Sequence, residues 1–331
     1  MRDQAGLVVC PLCRGPVAGV GSKRGWRLTH CPRCDHYAVL PCPTEVELQA
    51  IYSSTAGYGV GREVNLADTD GRPAARLDAV LRTFGVKRKT FLDVGCGDGR
   101  LLFHMRNLGW EVAGTDYSDV YVEKCRTHGL DVRQGDLGGA GLSRDWSVAY
   151  LGDVVEHLPN PIEALREVIS HLAPGGIVVV RTPNAAGGFS RLSCWLNRLT
   201  RTDWLASEAP VHINDFTPRS LHTLFSAVGL SVLSETTTGR RPFWYTVGAS
   251  GMLDREKLRL KQCRSRKDRC GVILKALPKL LAAAAWTLPT FVLGRMADYC
   301  VGGADYIVMY GAKRDAGEDA AAAGAGRPPA G

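Results

Sequence analysis

The 331-residue chain is 45% hydrophobic and 22% charged, the balance of an ordinary soluble globular protein with room for one large or two domains. Met1–Leu12 has no long apolar core and meets a cysteine-proline pair early, which argues against a secretory signal. The net charge of +8 is concentrated, because Asp254–Arg269 holds eight basic and three acidic residues, and this weakens a reading as a general nucleic-acid binder.

Eleven cysteines without a secretory signal point to a reducing, cytoplasmic compartment, where metal ligation is favoured over disulfides. Two knuckles, Cys10-Pro-Leu-Cys13 and Cys31-Pro-Arg-Cys34, are separated by seventeen residues, inside the spacing of four-cysteine zinc sites. Four thiolates fill a tetrahedral shell, so zinc held by Cys10, Cys13, Cys31 and Cys34 would be structural; reduced, unliganded cysteines are the plainer alternative. Residues 1–43 are expected to form this ribbon, with Gly15, Gly19, Gly21 and Gly25 at its turns. So few residues bury little core alone, and a metal would offset that.

Residues 44–89 read as N-terminal helices and linker. Thr44–Glu47 makes a capping box, Tyr52 and Tyr58 sit in a Ser/Gly-rich approach, and a helix is predicted from Pro73 to Gly85. The main domain is expected over 90–312. Thr90–Val94 reads as a short buried strand that breaks into Gly95-Cys96-Gly97-Asp98-Gly99 and then a helix pattern stopped by Gly109. Strand, glycine loop and helix open a parallel α/β sheet. The loop spacing is G-x-G-x-G with Asp93 ahead of it, whereas the dinucleotide fingerprint is G-x-G-x-x-G. A carboxylate at Asp93 suits a positively charged ligand and disfavours a pyrophosphate.

The pattern then repeats. Trp110–Thr115 is a second strand ending in Asp116, placed to accept ribose hydroxyls, with Tyr117 beside it available to adenine. Ser118 caps a helix to His128; Asp131–Gln134 is a third strand, followed by Gly135-Asp136-Leu137. Trp146–Gly152 is the fourth strand, leading into Asp153, Glu156 and His157. A helix follows from Pro161, then Pro174-Gly-Gly176 and a fifth strand, Ile177–Arg181. Residues 183–216 are an insertion containing His212, before a helix that starts at Thr217 and Pro218. Strands at Leu230–Glu235 and Ala304–Ala312 should close the sheet as an antiparallel hairpin. Between them, 238–303 is a basic and then apolar excursion. Its longest uncharged run, Leu280–Gly294, falls short of the roughly 20 residues needed to span a bilayer. The stretch 254–301 suits either peripheral membrane contact or a helical lid. Residues 313–331 read as a disordered tail.

The loop D-x-G-x-G-x-G, Asp93–Gly99, resembles the first motif of class I S-adenosylmethionine (SAM) methyltransferases. Asp153-Val-Val-Glu-His157-Leu-Pro-Asn-Pro161 resembles a segment of the ubiquinone/menaquinone-biosynthesis-like branch, and Leu-x-Pro-Gly-Gly before an apolar strand is another mark of it. The resemblance spans roughly Tyr52–Ala312 apart from the late excursion. It implies a Rossmann-like α/β fold with a seven-stranded sheet, its last strand antiparallel, here preceded by the small zinc ribbon. It implies that Gly95, Cys96 and Gly97 cradle the amino-acid tail of SAM. Asp136, with Leu137, would serve the adenine, Tyr58 would close over the cofactor, and Asp153 would lie near the reacting methyl. His157 and His212 are the two candidate bases for a hydroxyl acceptor, and each is also a fair hydrogen-bonding wall residue.

The expected activity is O-methylation of a small molecule, a sugar or a lipid-linked glycan, at the inner face of the membrane if the excursion touches lipid. Nucleotide-sugar C-methylation, RNA methylation and a non-catalytic SAM-binding regulator are the alternatives. RNA is disfavoured because the ribbon has little aromatic and basic interleaving beyond Lys23, Arg24, Trp26 and Arg27.

Overall fold

In the computed structural model the described residues are 8–44, 46–48, 65–139, 141–142, 145–200, 204 and 206–239, scattered positions between 288 and 299, and 304–314. Tyr58, the basic run 254–269 and the tail beyond 314 lie outside them, so the expectations placed there have no structural counterpart.

In chain order the elements are β1 (Ala18–Lys23), β2 (Trp26–Cys31), β3 (His36–Val39), α1 (Arg72–Thr83), β4 (Thr90–Val94), α2 (Arg100–Asn107) and β5 (Glu111–Asp116). These are followed by α3 (Asp119–Thr127), β6 (Asp131–Gln134), β7 (Trp146–Gly152), α4 (Pro161–Ser170), β8 (Leu172–Pro183) and α5 (Gly188–Thr200). The last are β9 (Asn214–Asp215), α6 (Pro218–Ala227), β10 (Leu230–Thr238) and β11 (Tyr306–Lys313). The chain divides into two compact units. One gathers 1–45, 183–219 and 237–307; the other gathers 46–182, 220–236 and 308–331.

The second unit holds most of a seven-stranded sheet in the order β10-β11-β8-β7-β4-β5-β6. Strands β8, β7, β4, β5 and β6 are parallel, and the last strands are antiparallel, as the family resemblance implies. Central strands covered on both faces read as continuous apolar runs. Ile177, Val178, Val179 and Val180 of β8 are accordingly all buried, as are Phe91 and Leu92 of β4 and Val148 and Ala149 of β7. Leu102 and Met105 of α2 pack into the same core, and Phe91 meets Trp110 edge-on with ring centroids 6.0 Å apart. The Trp110 indole N–H donates to the buried Asp78 carboxylate of α1 at 2.8 Å.

The largest departures from the strand bounds read in the sequence are in β8 and β10, while the bounds of β5 and β11 move by one or two residues. β8 begins at Leu172 rather than Ile177 because Trp146 pairs with Leu172 and Val148 with Ile177. The intervening Pro174-Gly175-Gly176 is therefore a bulge inside one strand, with Gly175 at φ 68°, where a turn between elements is predicted. β10 runs on to Thr238.

The first unit holds a four-stranded sheet, β1-β2-β3-β9. The ribbon expected to stand alone over 1–43 takes its fourth strand from Asn214–Asp215, which pairs antiparallel with Tyr37 and Ala38. Polar contacts hold that junction. His36 Nε2 lies 3.0 Å from Asn214 Oδ1, Thr217 Oγ1 donates to Asp35 O at 2.9 Å, and the buried Lys23 ammonium donates to Trp204 O at 2.9 Å. β9 has two residues and no periodicity, so the sequence offers no strand signal for it.

Candidate functional site

In the larger sheet, four carboxylates stand at the carboxyl ends of neighbouring strands. Asp153 follows β7, Asp93 is in β4, Asp116 ends β5, and Asp136 follows β6. In open α/β sheets this edge forms the ligand crevice.

The loop after β4 is built around glycine conformations. Gly95 has φ 71° and Gly97 φ 53°, both in the left-handed region. A Cβ on Gly95 would lie 2.7 Å from Val154 Cγ2, whereas one on Gly97 would meet no atom within 4 Å. Gly95 thus admits the wall residue Val154, and Gly97 leaves open space above the loop. The loop is pinned from below, since Gly95 N and Cys96 N both donate to Thr115 O, at 2.8 and 2.9 Å.

Asp116 ties the crevice together. Its Oδ2 accepts from Gly97 N at 2.8 Å and its Oδ1 from Ser118 N at 2.9 Å. One carboxylate therefore fixes the glycine loop and the start of α3, where Ser118 Oγ caps Tyr121 N at 3.3 Å. Each oxygen retains a second lone pair for a ligand hydroxyl. Tyr117 beside it is 73% exposed, and its ring is open to a planar ligand group. Asp136 closes its own turn by accepting from Gly139 N at 2.9 Å, and Leu137 is buried next to it. Asp93 is buried, and burial, with Asp116 and Cys125 adding to it, pushes its carboxyl well above the usual range. A cationic group in the crevice would relieve that penalty.

At the β7 end, Asp153 has φ 56°, and its carboxylate is paired with the Arg181 guanidinium. The 3-10 turn Val155–His157 follows, in which the buried Glu156 accepts from Thr182 Oγ1 at 2.9 Å. Arg181, Thr182 and Val154 are site residues that the sequence reading missed. The available signal is register: Gly152 pairs with Arg181, which sets the charge ending the Ile-Val-Val-Val run beside Asp153. Cys125 of α3 is another, with its thiol donating to Gly97 O at 3.5 Å. The Cys125 sulfur and burial hold the Cys96 thiol well above its usual pKa, so Cys96 lines the loop as a neutral group.

His157 and His212 fall in different compact units. His212 is buried between α5 and β9, with Nε2 3.6 Å from Glu208 Oε2.

The cysteine knuckles of the first unit share one geometry. Arg14 N donates to Cys10 O at 3.1 Å and Asp35 N to Cys31 O at 2.8 Å, and Arg14 and Asp35 both have φ 58°. The four sulfurs lie within 4.8 Å of one another; Cys10 and Cys34 are 3.5 Å apart, as are Cys13 and Cys31. A tetrahedral ion with metal–sulfur bonds of about 2.3 Å sets its sulfurs about 3.8 Å apart, so the cluster is nearly dimensioned for one. The Cys34 contact brings Cys10 down to about 5 despite burial, while burial pushes Cys31 up and the Cys10 contact pushes Cys34 up. Thiols this crowded ionise together only around a cation.

A family model described as a methyltransferase domain matches residues 68–235, just over half of the chain. A ubiquinone biosynthesis O-methyltransferase of Caulobacter vibrioides is 37% identical over 133 residues, covering 37% of this chain and 49% of that protein. The protein of the same name from Alkalilimnicola ehrlichii is 34% identical over 119 residues, covering 33% and 48%. The chain thus spans about half the length of the curated relatives it matches. A solved putative sarcosine dimethylglycine methyltransferase from Galdieria sulphuraria aligns over 81% of this chain and 98% of its own, at 15% identity and a TM-score of 0.45. On the extent of the family match, this chain belongs to the methyltransferase-domain family, of the class I, S-adenosylmethionine-dependent type.

Proposed function

We propose that the protein transfers the methyl group of SAM to a hydroxyl of a small-molecule acceptor. The observation that carries this is the Asp116 bridge between Gly97 and Ser118 above the buried Asp93. Gly95, Cys96 and Gly97 would hold the amino-acid tail, Asp93 its positive charge, Asp116 the ribose, and Tyr117, Asp136 and Leu137 the adenine. Asp153, oriented by Arg181, would border the reacting end. SAM supplies an activated methyl whose carbon–sulfur bond breaks as the new oxygen–carbon bond forms. The chain's own task is alignment and removal of the hydroxyl proton, for which His157 and His212 are the candidates. The names of the curated relatives make a quinone-pathway acceptor the first to screen, ahead of the sugars and lipid-linked glycans suggested by sequence alone.

The thiol cluster supports a structural zinc ion held by Cys10, Cys13, Cys31 and Cys34. A cytoplasmic location is part of the same proposal and rests on the cysteine-rich sequence alone.

Calorimetric titration of SAM and S-adenosylhomocysteine tests the cofactor. Wild type should bind both, and Asp116→Ala should lose about 10- to 100-fold, the value of a charge-assisted hydrogen bond. No binding by metal-replete wild type would overturn the proposal. His157→Ala or His212→Ala that abolishes turnover while SAM affinity is retained would identify the base.

A further inference from the structure

The helical residues in 288–299 are amphipathic with the usual polarity reversed. Facing the protein are Phe291, Arg295 and Asp298, spaced as one helix face. Phe291 meets Phe189 of α5 edge-on at 5.8 Å, and the Arg295 guanidinium sits 4.8 Å above the Phe291 ring. Arg295 also donates to Asp298 at 3.0 Å and to Asp305, and Asp298 accepts from Gly188 N. The charged groups of this segment are thus turned inward and consumed. The opposite face carries Leu288, Val292, Met296 and Tyr299, with Leu293 beside them, between 46% and 80% exposed. In the same compact unit, α5 exposes Trp195 and Leu199, one helical turn apart, at 57% and 67%. A soluble helix normally turns such a stripe to its core.

Charge decides what this surface fits. Among the described residues of this unit, every exposed charged side chain is an arginine: Arg14, Arg24, Arg27, Arg33, Arg191, Arg198 and Arg219. Its described acids are buried or half-buried. A second copy would oppose arginine to arginine, which is costly. A nucleic acid would match the charge but gain nothing from Leu288, Val292, Leu293 and Met296. A bilayer surface with anionic headgroups satisfies both features, taking the apolar stripe to the acyl boundary and the arginines to the headgroups. No helix among the described residues is long and apolar enough to cross a membrane. We propose that the stripe of Leu288, Val292, Leu293, Met296 and Tyr299, with Trp195 and Leu199, seats this unit on an anionic lipid surface. The inference is independent of the acceptor and of SAM binding.

Flotation of the whole 331-residue chain, metal-replete, tests it, using vesicles of phosphatidylcholine alone and of phosphatidylcholine with phosphatidylglycerol. The expected result is binding to the anionic vesicles only, weakening as salt rises. The double variant Leu293→Asp/Met296→Asp should lose more than about tenfold in partitioning, since two inserted apolar side chains become charges. Arg191→Glu/Arg198→Glu should lose at least about fivefold per residue. SAM binding measured on each variant reports that the other unit is folded and keeps failure here distinct from failure of the methyltransferase reading. Wild type that stays off anionic vesicles overturns the inference. So does equal binding by the Leu293/Met296 variant, self-association that this variant abolishes without any vesicle binding, or retention by RNA alone.

Discussion

The two sheets keep water out by different means. In the seven-stranded sheet, Ile177–Val180, Phe91, Leu92, Val148 and Ala149 are buried in unbroken apolar runs. In the unit that carries the four-stranded sheet the deeply buried set includes Cys10, Cys31, Cys34, Lys23, Thr29, His36 and Asn214. The first gains stability in proportion to apolar area, so many substitutions are tolerated there if volume is kept. The second depends on named partners, each of which costs free energy when its counterpart is removed. Robustness should therefore differ between them, and the largest difference should come from the metal ion proposed for the four thiols.

Chelation, or Cys31→Ser, is expected to remove ordered structure from 8–44 and 183–219 while SAM affinity changes by no more than a few-fold. Structural zinc sites carry on the order of 10 kcal/mol of folding free energy, more than any single contact in the larger sheet can supply. Limited proteolysis read by mass spectrometry, with calorimetry of SAM on the same sample, checks both halves. Unchanged protease resistance after chelation would show that the four-stranded sheet stands without its ion.

The sharpest polar contact within the apolar sheet unit inverts the contrast. Asp78 accepts the Trp110 indole N–H and pairs with Arg82. Burial works to raise its carboxyl, but the bonds from Arg82 and Trp110 outweigh that and leave it below the usual range. Asp78→Ala leaves a buried indole N–H unpaired and should cost about 1–3 kcal/mol in thermal or urea unfolding, with Asp78→Asn recovering part of it. Because the folded pKa is depressed, this contribution is present above the ordinary carboxylate range and is lost as pH falls through the lower folded value. An Asp78→Ala variant as stable as wild type would mean that apolar area alone holds this unit.

The same contrast governs what could be read from the chain. Thr90–Val94, Asp131–Gln134 and Trp146–Gly152 are found at the bounds the sequence predicts, because each is a β-type run with a glycine at or just beyond its end. The helix capped by Ser118 and the acidic end of β5 are equally legible, being local signals. β9 is illegible because Asn214 finds His36 across 178 positions with no period to announce it. Arg181 reads only as a strand end, and Cys125 carries no signal of its own in the sequence. Only the register of β7 with β8 and the packing of α3 on the glycine loop bring them to the crevice. The loop's shape was legible, but the second role of Asp116, as the tie to Gly97, was not.

Asp93 offers a test within the crevice. Its carboxyl is raised in the free protein, so it costs stability, and that cost grows as pH rises from the ordinary carboxylate range towards the raised value and is constant above it. A bound cation beside it favours the carboxylate. SAM binding should then release a proton at pH values below the raised pKa, and affinity should climb by up to about tenfold per pH unit before levelling above it. Calorimetry in buffers of different ionisation enthalpy reads the proton directly. Asp93→Asn should abolish the release, and a pH-independent wild type would remove Asp93 from the cationic end of the site.

The smallest expected effect separates stability from binding at one residue. Ser118 contributes two things: its hydroxyl caps α3 through Tyr121 N, and its backbone N–H anchors Asp116. Ser118→Ala removes only the cap and should cost about 1 kcal/mol of stability with SAM affinity unchanged. Ser118→Pro removes the N–H as well, at a position whose φ of −77° already suits proline. It should add a several-fold loss of SAM affinity, because Asp116 then has only Gly97 to hold it and the loop loses its fixed partner. If the two variants bind SAM alike, Asp116 is positioned by the glycine loop alone, and its bond to Ser118 belongs to the helix rather than to the site.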